Sequence, residues 1–242
     1  MIFAAGLGTR LKPITDRLPK ALLPIGGKTL LEWQLDKLRA AGILEVVINV
    51  HHFADQIIDF VQAHDGFGMH IAFSDEREML LETGGGLRKA GKLLGQTEPT
   101  LVCNVDVLSN IDLQSLIASH HPEALATIVV SERPTQRYFL FDEQRRLAGW
   151  TNIQTGEVKP AGLTTTGLQK LAFSGMHVVS PAIFDAMRDY PERFSITDFY
   201  IEQCSRFRID AFVPSEYRMM DIGKIDHLQE AERFAAELSR AD

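Results

Sequence analysis

The first five residues, Met1-Ile2-Phe3-Ala4-Ala5, form an apolar run that leads straight into Gly6-Leu7-Gly8-Thr9-Arg10-Leu11. Such a run reads as a buried strand, and glycines at its end open backbone dihedrals closed to other residues. Gly6 and Gly8 also remove the side chains that would hold backbone N–H groups away from an anion, so the loop can form a phosphate-binding nest. Positive charge collects at the same place. Residues 1–28 hold five cations (Arg10, Lys12, Arg17, Lys20, Lys28) and one acid (Asp16), in a chain whose formal net charge is −7. The acidic balance elsewhere excludes a general nucleic-acid binder, which would show a basic face rather than one basic corner. The expected partner is a small anion.

Past the loop, apolar patterns of two periods alternate. Leu31, Leu35 and Leu38 recur at helical spacing and Gly42 supplies a stop, which predicts a helix over 29–41. Ile43–Val50 is an apolar strand, followed by an expected helix near 54–63, a strand at Met69–Phe73, a helix from Gly85 to Leu94 and a strand at Thr100–Val105. This alternation predicts an α/β fold: a Rossmann-like, mostly parallel mixed sheet covered by helices on both faces. After a helix at Asp112–Ser119 the pattern changes. Ala126–Ser131, Tyr138–Phe141 and Leu147–Thr151 are short strands joined by turns, which makes a small β-meander insert. Gln154–Gly167 reads as a polar loop or flap, and Leu171–Ser180 returns to strand. Pro181 opens a helix, Ser195 caps the next, a strand ends at Asp221, and a final helix covers 224–239. One domain over 1–242 is the expected organisation.

Two glycine patterns point to chemistry the chain does not support. Gly6-Leu7-Gly8-Thr9-Arg10-Leu11 starts like a dinucleotide fingerprint, but Leu11 stands where the third glycine belongs and no ribose-binding acid closes a second strand about 20 residues on. Gly26-Gly27-Lys28-Thr29 resembles the end of a P-loop, yet it follows Pro24 and lacks the leading glycine; a tight turn before the first helix is the expectation. The two cysteines, Cys103 and Cys204, are far apart and read as free thiols. The pairs His51-His52 and His120-His121 lack metal-ligand spacing and read as surface or packing residues. No apolar run approaches the roughly 18 residues of a membrane span, so no membrane partner and a cytoplasmic location are expected.

Two aspartates carry more. Asp106 ends the apolar strand that holds Asn104, and Asp221 ends the run Met219-Met220; in an open α/β sheet, ligands bind at the carboxyl ends of strands. Each alone serves equally as a cap or turn residue. Together, facing a basic phosphate loop, they make the paired carboxylates that Mg²⁺ takes alongside phosphate oxygens. Leu81-Glu82-Thr83-Gly84-Gly85-Gly86 opens a helix with three glycines, a poor helix start unless the backbone approaches something closely. A base edge is one such thing, and a plain flexible turn is the other reading.

With these residues in view, the chain resembles the sugar-1-phosphate nucleotidylyltransferases. Their signature is an Ala-Ala-Gly-x-Gly-Thr-Arg-Leu-x-Pro-x-Thr loop followed by Pro-Lys-x-Leu-x-Pro. Ala4–Thr15 and Pro19–Pro24 match it at every fixed position. The Leu-Glu-Thr-Gly-Gly-Gly form of the second loop is similar to that of N-acetylmuramate 1-phosphate uridylyltransferases and mannose-1-phosphate guanylyltransferase-like members. The chain departs from the pattern at Val105, Met219 and Lys224, where the family commonly has Gly, Trp and Thr. Its Glu157-Val158-Lys159-Pro160 interrupts the usual Glu-Lys-Pro.

The resemblance implies transfer of a nucleoside monophosphate from a nucleoside triphosphate to a sugar 1-phosphate, with pyrophosphate released and Mg²⁺ as cofactor. It assigns a nucleotide half to about 1–120 and a sugar half to about 121–242, without a β-helix acyltransferase domain. Arg10 and Lys20 become the catalytic cations, and Ala5, Gly6, Gly8, Thr9, Glu82, Thr83, Gly84 and Gly85 the nucleotide contacts. Asn104, Gly149, Asn152 and Gly175 fall to the sugar phosphate, and Asp106 and Asp221 to the metal. UTP with N-acetylmuramate 1-phosphate is the expected pair, in a monomer or small homo-oligomer. GTP with mannose 1-phosphate is the alternative, as is a non-catalytic subunit that senses nucleotide-sugars.

Overall fold

The computed structural model describes residues 1–241. Its first half runs β1 (Ile2–Phe3), a hairpin of β2 (Pro24–Ile25) and β3 (Lys28–Thr29), α1 (Leu30–Ala40), β4 (Glu45–Val50), α2 (Ala54–Ala63), β5 (His70–Asp75), α3 (Glu82–Ala90), β6 (Thr100–Asn104), β7 (Val107–Ser109) and α4 (Leu113–Ala118). The second half holds β8 (Ala126–Ser131), β9 (Arg137–Phe141), β10 (Leu147–Asn152), β11 (Glu157–Lys159), β12 (Gln169–Val179), α5 (Ala182–Ala186), α6 (Ile196–Gln203), β13 (Ile209–Phe212), β14 (Met219–Asp221) and α7 (Leu228–Ala241).

Ten of these strands make one mixed sheet. β5, β4, β1 and β6 run parallel in that order, the arrangement that β-α-β crossovers impose. The second half is mainly antiparallel and hinges on the long strand β12. Residues 169–171 of β12 pair with β9, residues 176–179 pair with β6, and β8 lies along its other edge. β10 and β11 extend the meander outward from β9. β1 is apolar on both faces: Ile2 enters the core under α1, α2 and α7, while Met1 and Phe3 enter the core under α3, α5 and α6. A strand buried on both faces favours apolar side chains at nearly every position.

Local chemistry sets most boundaries. Thr29 caps α1 through a capping box with Glu32, and Gly26 and Gly27, both at positive φ, turn the β2–β3 hairpin that the sequence reads as a tight turn. Ser195 caps α6 by accepting from the Thr197 N–H at 3.2 Å, as its sequence predicts. Three expectations need correction. β1 stops at Phe3 instead of Ala5 because the side chain of Asn49 takes the N–H groups of Ala4 and Ala5. α3 begins at Glu82, so the three glycines lie inside the helix, and it ends at Ala90 instead of Leu94. The segment 154–167 is not all loop: Glu157–Lys159 is the edge strand β11.

His120 packs between Thr127 and Ser180, with ring nitrogens 2.9 and 3.0 Å from their hydroxyls. His177 on β12 is buried, stacked on Phe173 and set edge-on to Tyr200. Neither of its ring nitrogens has a hydrogen-bond partner among the described residues. Burial pushes its pKa down to about 3, so the folded protein holds it neutral while the unfolded chain protonates it below about 6.5. The sign follows: stability is full above about pH 6.5 and falls as the pH drops toward 3. His177→Phe should flatten the denaturation free energy against pH across that window by up to one proton's slope, and an unchanged slope would assign the acid sensitivity elsewhere.

Candidate active site

The glycine loop leaves β1 at the carboxyl end of the parallel strands. Gly8 adopts a left-handed conformation (φ 61°), and its carbonyl accepts from the Leu11 N–H (2.8 Å) and the Thr15 hydroxyl (2.9 Å). A Cβ there would stand 2.8 Å from Thr15 Cγ2, so both φ and space require glycine. Thr9 starts the short 3₁₀ turn that follows, and both Thr9 and Arg10 are exposed. Ala5 and Gly6 line a cleft of about 370 Å³ together with Lys20, Glu82, Thr83, Asn104 and Asp106. The structure thus brings seven of the sequence-expected residues to one hollow.

Charge in the hollow is paired. Lys20, buried to 8% exposure, forms an ion pair with Asp106. Asp106 and Asp221 meet through a two-stranded ribbon in which β14 runs antiparallel to β7, with Asp221 opposite Val107 and the Ile222 N–H donating to the Asp106 carbonyl at 2.9 Å. Burial, and then the neighbouring Asp106 charge, raise the Asp221 carboxyl above its ordinary range; Lys20, Arg10 and Arg133 act in the opposite direction. Arg10 reaches the same strand end. A Cβ on Gly223 would lie 2.8 Å from Asp221 Oδ1 and 2.9 Å from Arg10 Nη2. Of the other cations in the basic corner, Lys12 pairs with Asp16 and Lys28 with Asp36 on α1. Two carboxylates offering only oxygen donors, one of them raised chiefly by burial and further by its like-charged neighbour, are a donor set of the kind a hard divalent cation takes.

The second wall is α3. Glu82 enters it at φ 62° and pairs with Arg193 at 2.8 Å, and the Thr83 hydroxyl accepts from the Ile196 N–H at 3.0 Å. The close approach expected of the three glycines is an approach to protein. A Cβ on Gly84 would be 2.3 Å from the Phe194 ring, one on Gly85 2.4 Å from the Glu192 carbonyl, and one on Gly86 2.7 Å from Glu76 Oε1. The N–H groups of Gly84 and Gly85 both donate to the Phe194 carbonyl (2.9 and 3.2 Å). On β12, Gly175 (φ 71°) packs against Asn104, where a Cβ would be 2.5 Å from Nδ2. Gly149 and Asn152 sit in the meander: Gly149 lies against the Lys159 carbonyl and Leu163, and Asn152 Oδ1 accepts from the Gln154 N–H at the β10–β11 turn.

The nucleotidyl transferase family model matches residues 1–237. The chain belongs to that family. This nucleotidyl transferase is 33% identical over 193 residues to the N-acetylmuramate alpha-1-phosphate uridylyltransferase of Caulobacter vibrioides, covering 76% of this chain and 75% of that protein. It is 36% identical over 190 residues to the protein of the same name from Neisseria meningitidis serogroup B, covering 77% of each. A putative glucose-1-phosphate thymidylyltransferase of Bacillus anthracis, solved in complex with a sucrose, shares the fold with a TM-score of 0.80 at 18% identity, over 97% of this chain and 93% of that one. The enzyme is a sugar-1-phosphate nucleotidyltransferase.

Sequence motifs pass over one junction of this nucleotidyl transferase. The buried Asn49 side chain accepts from the N–H groups of Ala4 (2.7 Å) and Ala5 (3.3 Å) and donates to Glu76 Oε1 (2.7 Å). Glu76, with no exposed surface, accepts from the Leu81 N–H through Oε2 at 3.1 Å, and burial raises its carboxyl. The glycine loop and the start of α3 are therefore joined through two side chains. The one signal available in the sequence is a polar residue inside the apolar run Val46–Val50. Asn49→Leu removes the partner of the Ala4 and Ala5 N–H groups and of one Glu76 oxygen, and urea denaturation should show a loss of about 2–4 kcal/mol. A loss below about 0.5 kcal/mol would mean the junction is not a support.

Proposed function

We propose that the enzyme transfers a uridylyl group from UTP to N-acetylmuramate 1-phosphate, giving the nucleotide-sugar and pyrophosphate. The observation that carries the reading is the meeting of the glycine loop, Lys20 and the Asp106–Asp221 pair at one strand end. The choice of base and sugar rests on the two uridylyltransferases that resemble the chain at 33% and 36% identity.

In this reading, an oxygen of the sugar 1-phosphate attacks the α-phosphorus in line. A new P–O bond forms as the bond to the β-phosphate breaks, and pyrophosphate leaves with the electron pair. The chain needs no covalent nucleophile, because holding two anions together and neutralising them supplies the rate. The Gly6–Thr9 backbone cradles the triphosphate, and Arg10 stabilises the departing pyrophosphate. Lys20, on the cleft floor, shields the incoming phosphate from the α-phosphate. Glu82 and Thr83 face the base, and Asn104 and Gly175 bound the sugar side. Asp106 and Asp221 hold Mg²⁺, which when bound supplies positive charge to phosphate oxygens as a Lewis acid.

The test is pyrophosphate release with each of the four common nucleoside triphosphates against a panel of sugar 1-phosphates. UTP with N-acetylmuramate 1-phosphate should give the highest kcat/KM, and a better pair would replace the substrate assignment. Lys20→Ala and Asp106→Asn should each lower turnover at least about a hundredfold with unchanged circular dichroism, since one lost electrostatic contact is worth ~2.7–4 kcal/mol of barrier. Near-normal turnover in either would remove that residue from the chemistry. Chelation should abolish release and added Mg²⁺ restore it; full activity in chelator would exclude the metal.

A further inference from the structure

The two carboxylates of the cleft do not stand on the ten-stranded sheet. They lie at one end of a separate two-stranded ribbon, in which Met219, Met220 and Asp221 pair with Ser109, Leu108 and Val107. Only one edge of β7 faces β14. The Ile222 N–H donates to the Asp106 carbonyl (2.9 Å) and the Asn110 N–H to the Arg218 carbonyl (3.2 Å), so the backbone groups of Asp106, Leu108 and Asn110 point across the ribbon. By the alternation of an antiparallel ladder, the carbonyls of Val107 and Ser109 point the other way, and both residues are buried. A buried carbonyl left without a donor is costly.

Helix α1 supplies the donors. Gln34, at 1% exposure, reaches the Val107 carbonyl through Nε2 at 2.7 Å, and Lys37 reaches the Ser109 carbonyl through Nζ at 2.5 Å. Residues three apart share one face of a helix and carbonyls two apart share one edge of a strand, so donors and acceptors are matched. α1 therefore stands where a third strand would. The same helix holds the segment that brings in Lys20: Trp33 Nε1 donates to the Ile25 carbonyl at 2.8 Å, and the Leu30 N–H to the Leu23 carbonyl at 3.1 Å. Adjacent residues Trp33 and Gln34 thus tie the Lys20 segment and the carboxylate ribbon to one rod. Val107 follows Asp106 in the chain and faces Asp221 across the ribbon, so the Gln34 bond falls beside both carboxylates.

We infer that Gln34 is a positioning residue for the transfer: through the Val107 carbonyl it fixes the spacing at which Asp106 and Asp221 are presented to a divalent cation, and Lys37 supports the same edge two residues further on. This rests on the reading of the two aspartates as a metal pair. Without the Gln34 bond the ribbon spends only a fraction of its time in the competent arrangement, and the apparent dissociation constant of the metal rises by the reciprocal of that fraction. Excess metal repopulates the arrangement, so the loss is recoverable.

The test compares the full chain with three variants. Gln34→Met keeps length and packing but removes the donor, and Lys37→Met does the same at Ser109. Gln114→Met is the control, since it removes a bond of equal length, from Gln114 Nε2 to the Ala41 carbonyl (2.7 Å), that involves neither strand of the ribbon. Mn²⁺ is titrated into each protein with a non-hydrolysable analogue of the preferred nucleoside triphosphate, bound metal is read by electron paramagnetic resonance, and pyrophosphate release is followed against Mg²⁺ concentration. Gln34→Met should weaken Mn²⁺ binding about tenfold and raise the half-saturating Mg²⁺ to match, with kcat in excess Mg²⁺ within about threefold of the unaltered enzyme. Lys37→Met should move both in the same direction by less, and Gln114→Met should move neither. Unchanged Mn²⁺ affinity in Gln34→Met would overturn the inference, as would a kcat that excess Mg²⁺ does not restore, the mark of a merely destabilised fold. Should Gln34→Met not fold, Lys37→Met decides, and an unmoved Mn²⁺ affinity there overturns the inference. An unaltered enzyme that binds no Mn²⁺ would defeat the metal pair and this inference with it; Mn²⁺ bound equally by all four proteins would defeat this inference alone.

Discussion

One buried amide holds the two walls of the cleft in register. Asn49 stands on β4, the strand next to β1, where the apolar pattern calls for another aliphatic residue. Its carbonyl oxygen takes the N–H groups of Ala4 and Ala5 as the chain leaves the sheet, and its amide nitrogen takes a carboxylate oxygen of Glu76. A buried polar group with every partner in place fixes geometry more tightly than an apolar contact can, because each alternative leaves something unpaired. From this junction the glycine loop is aimed in one direction and α3 in the other. The cleft lies between them.

Charge follows a similar logic of mutual dependence. Asp106 and Asp221 repel each other in a partly buried site, and Lys20 and Arg10 offset that repulsion. The pairing holds the Lys20 ammonium inside the cleft beside Asp106, while Arg10 stays exposed at its rim. The Lys20 ammonium, already on a carboxylate, has given up much of its hydration.

Some of this was legible in the sequence. The loop, Lys20 and the two aspartates declare themselves because their chemistry needs fixed residue types at fixed spacing, and the β-α-β alternation predicts the parallel half. The glycines of α3 were harder, since a glycine that meets a ligand and a glycine that meets Phe194 look alike in one dimension. Edge strand β11 is three residues long, too short for a period of two to register. Asn49 and Glu76 act through neighbours far away in the chain, and no local pattern marks such a partner.

The ribbon of β7 and β14 joins a strand from the middle of the polypeptide to one near its C-terminal end. The glycine loop, Lys20 and Asp106 all leave the ribosome well before Asp221 does. A growing chain of this kind can therefore assemble the sheet around its phosphate loop long before the second carboxylate arrives. Until β14 docks, the Asp106–Asp221 pair does not exist, and the cleft's charge balance becomes a property of the assembled ribbon alone.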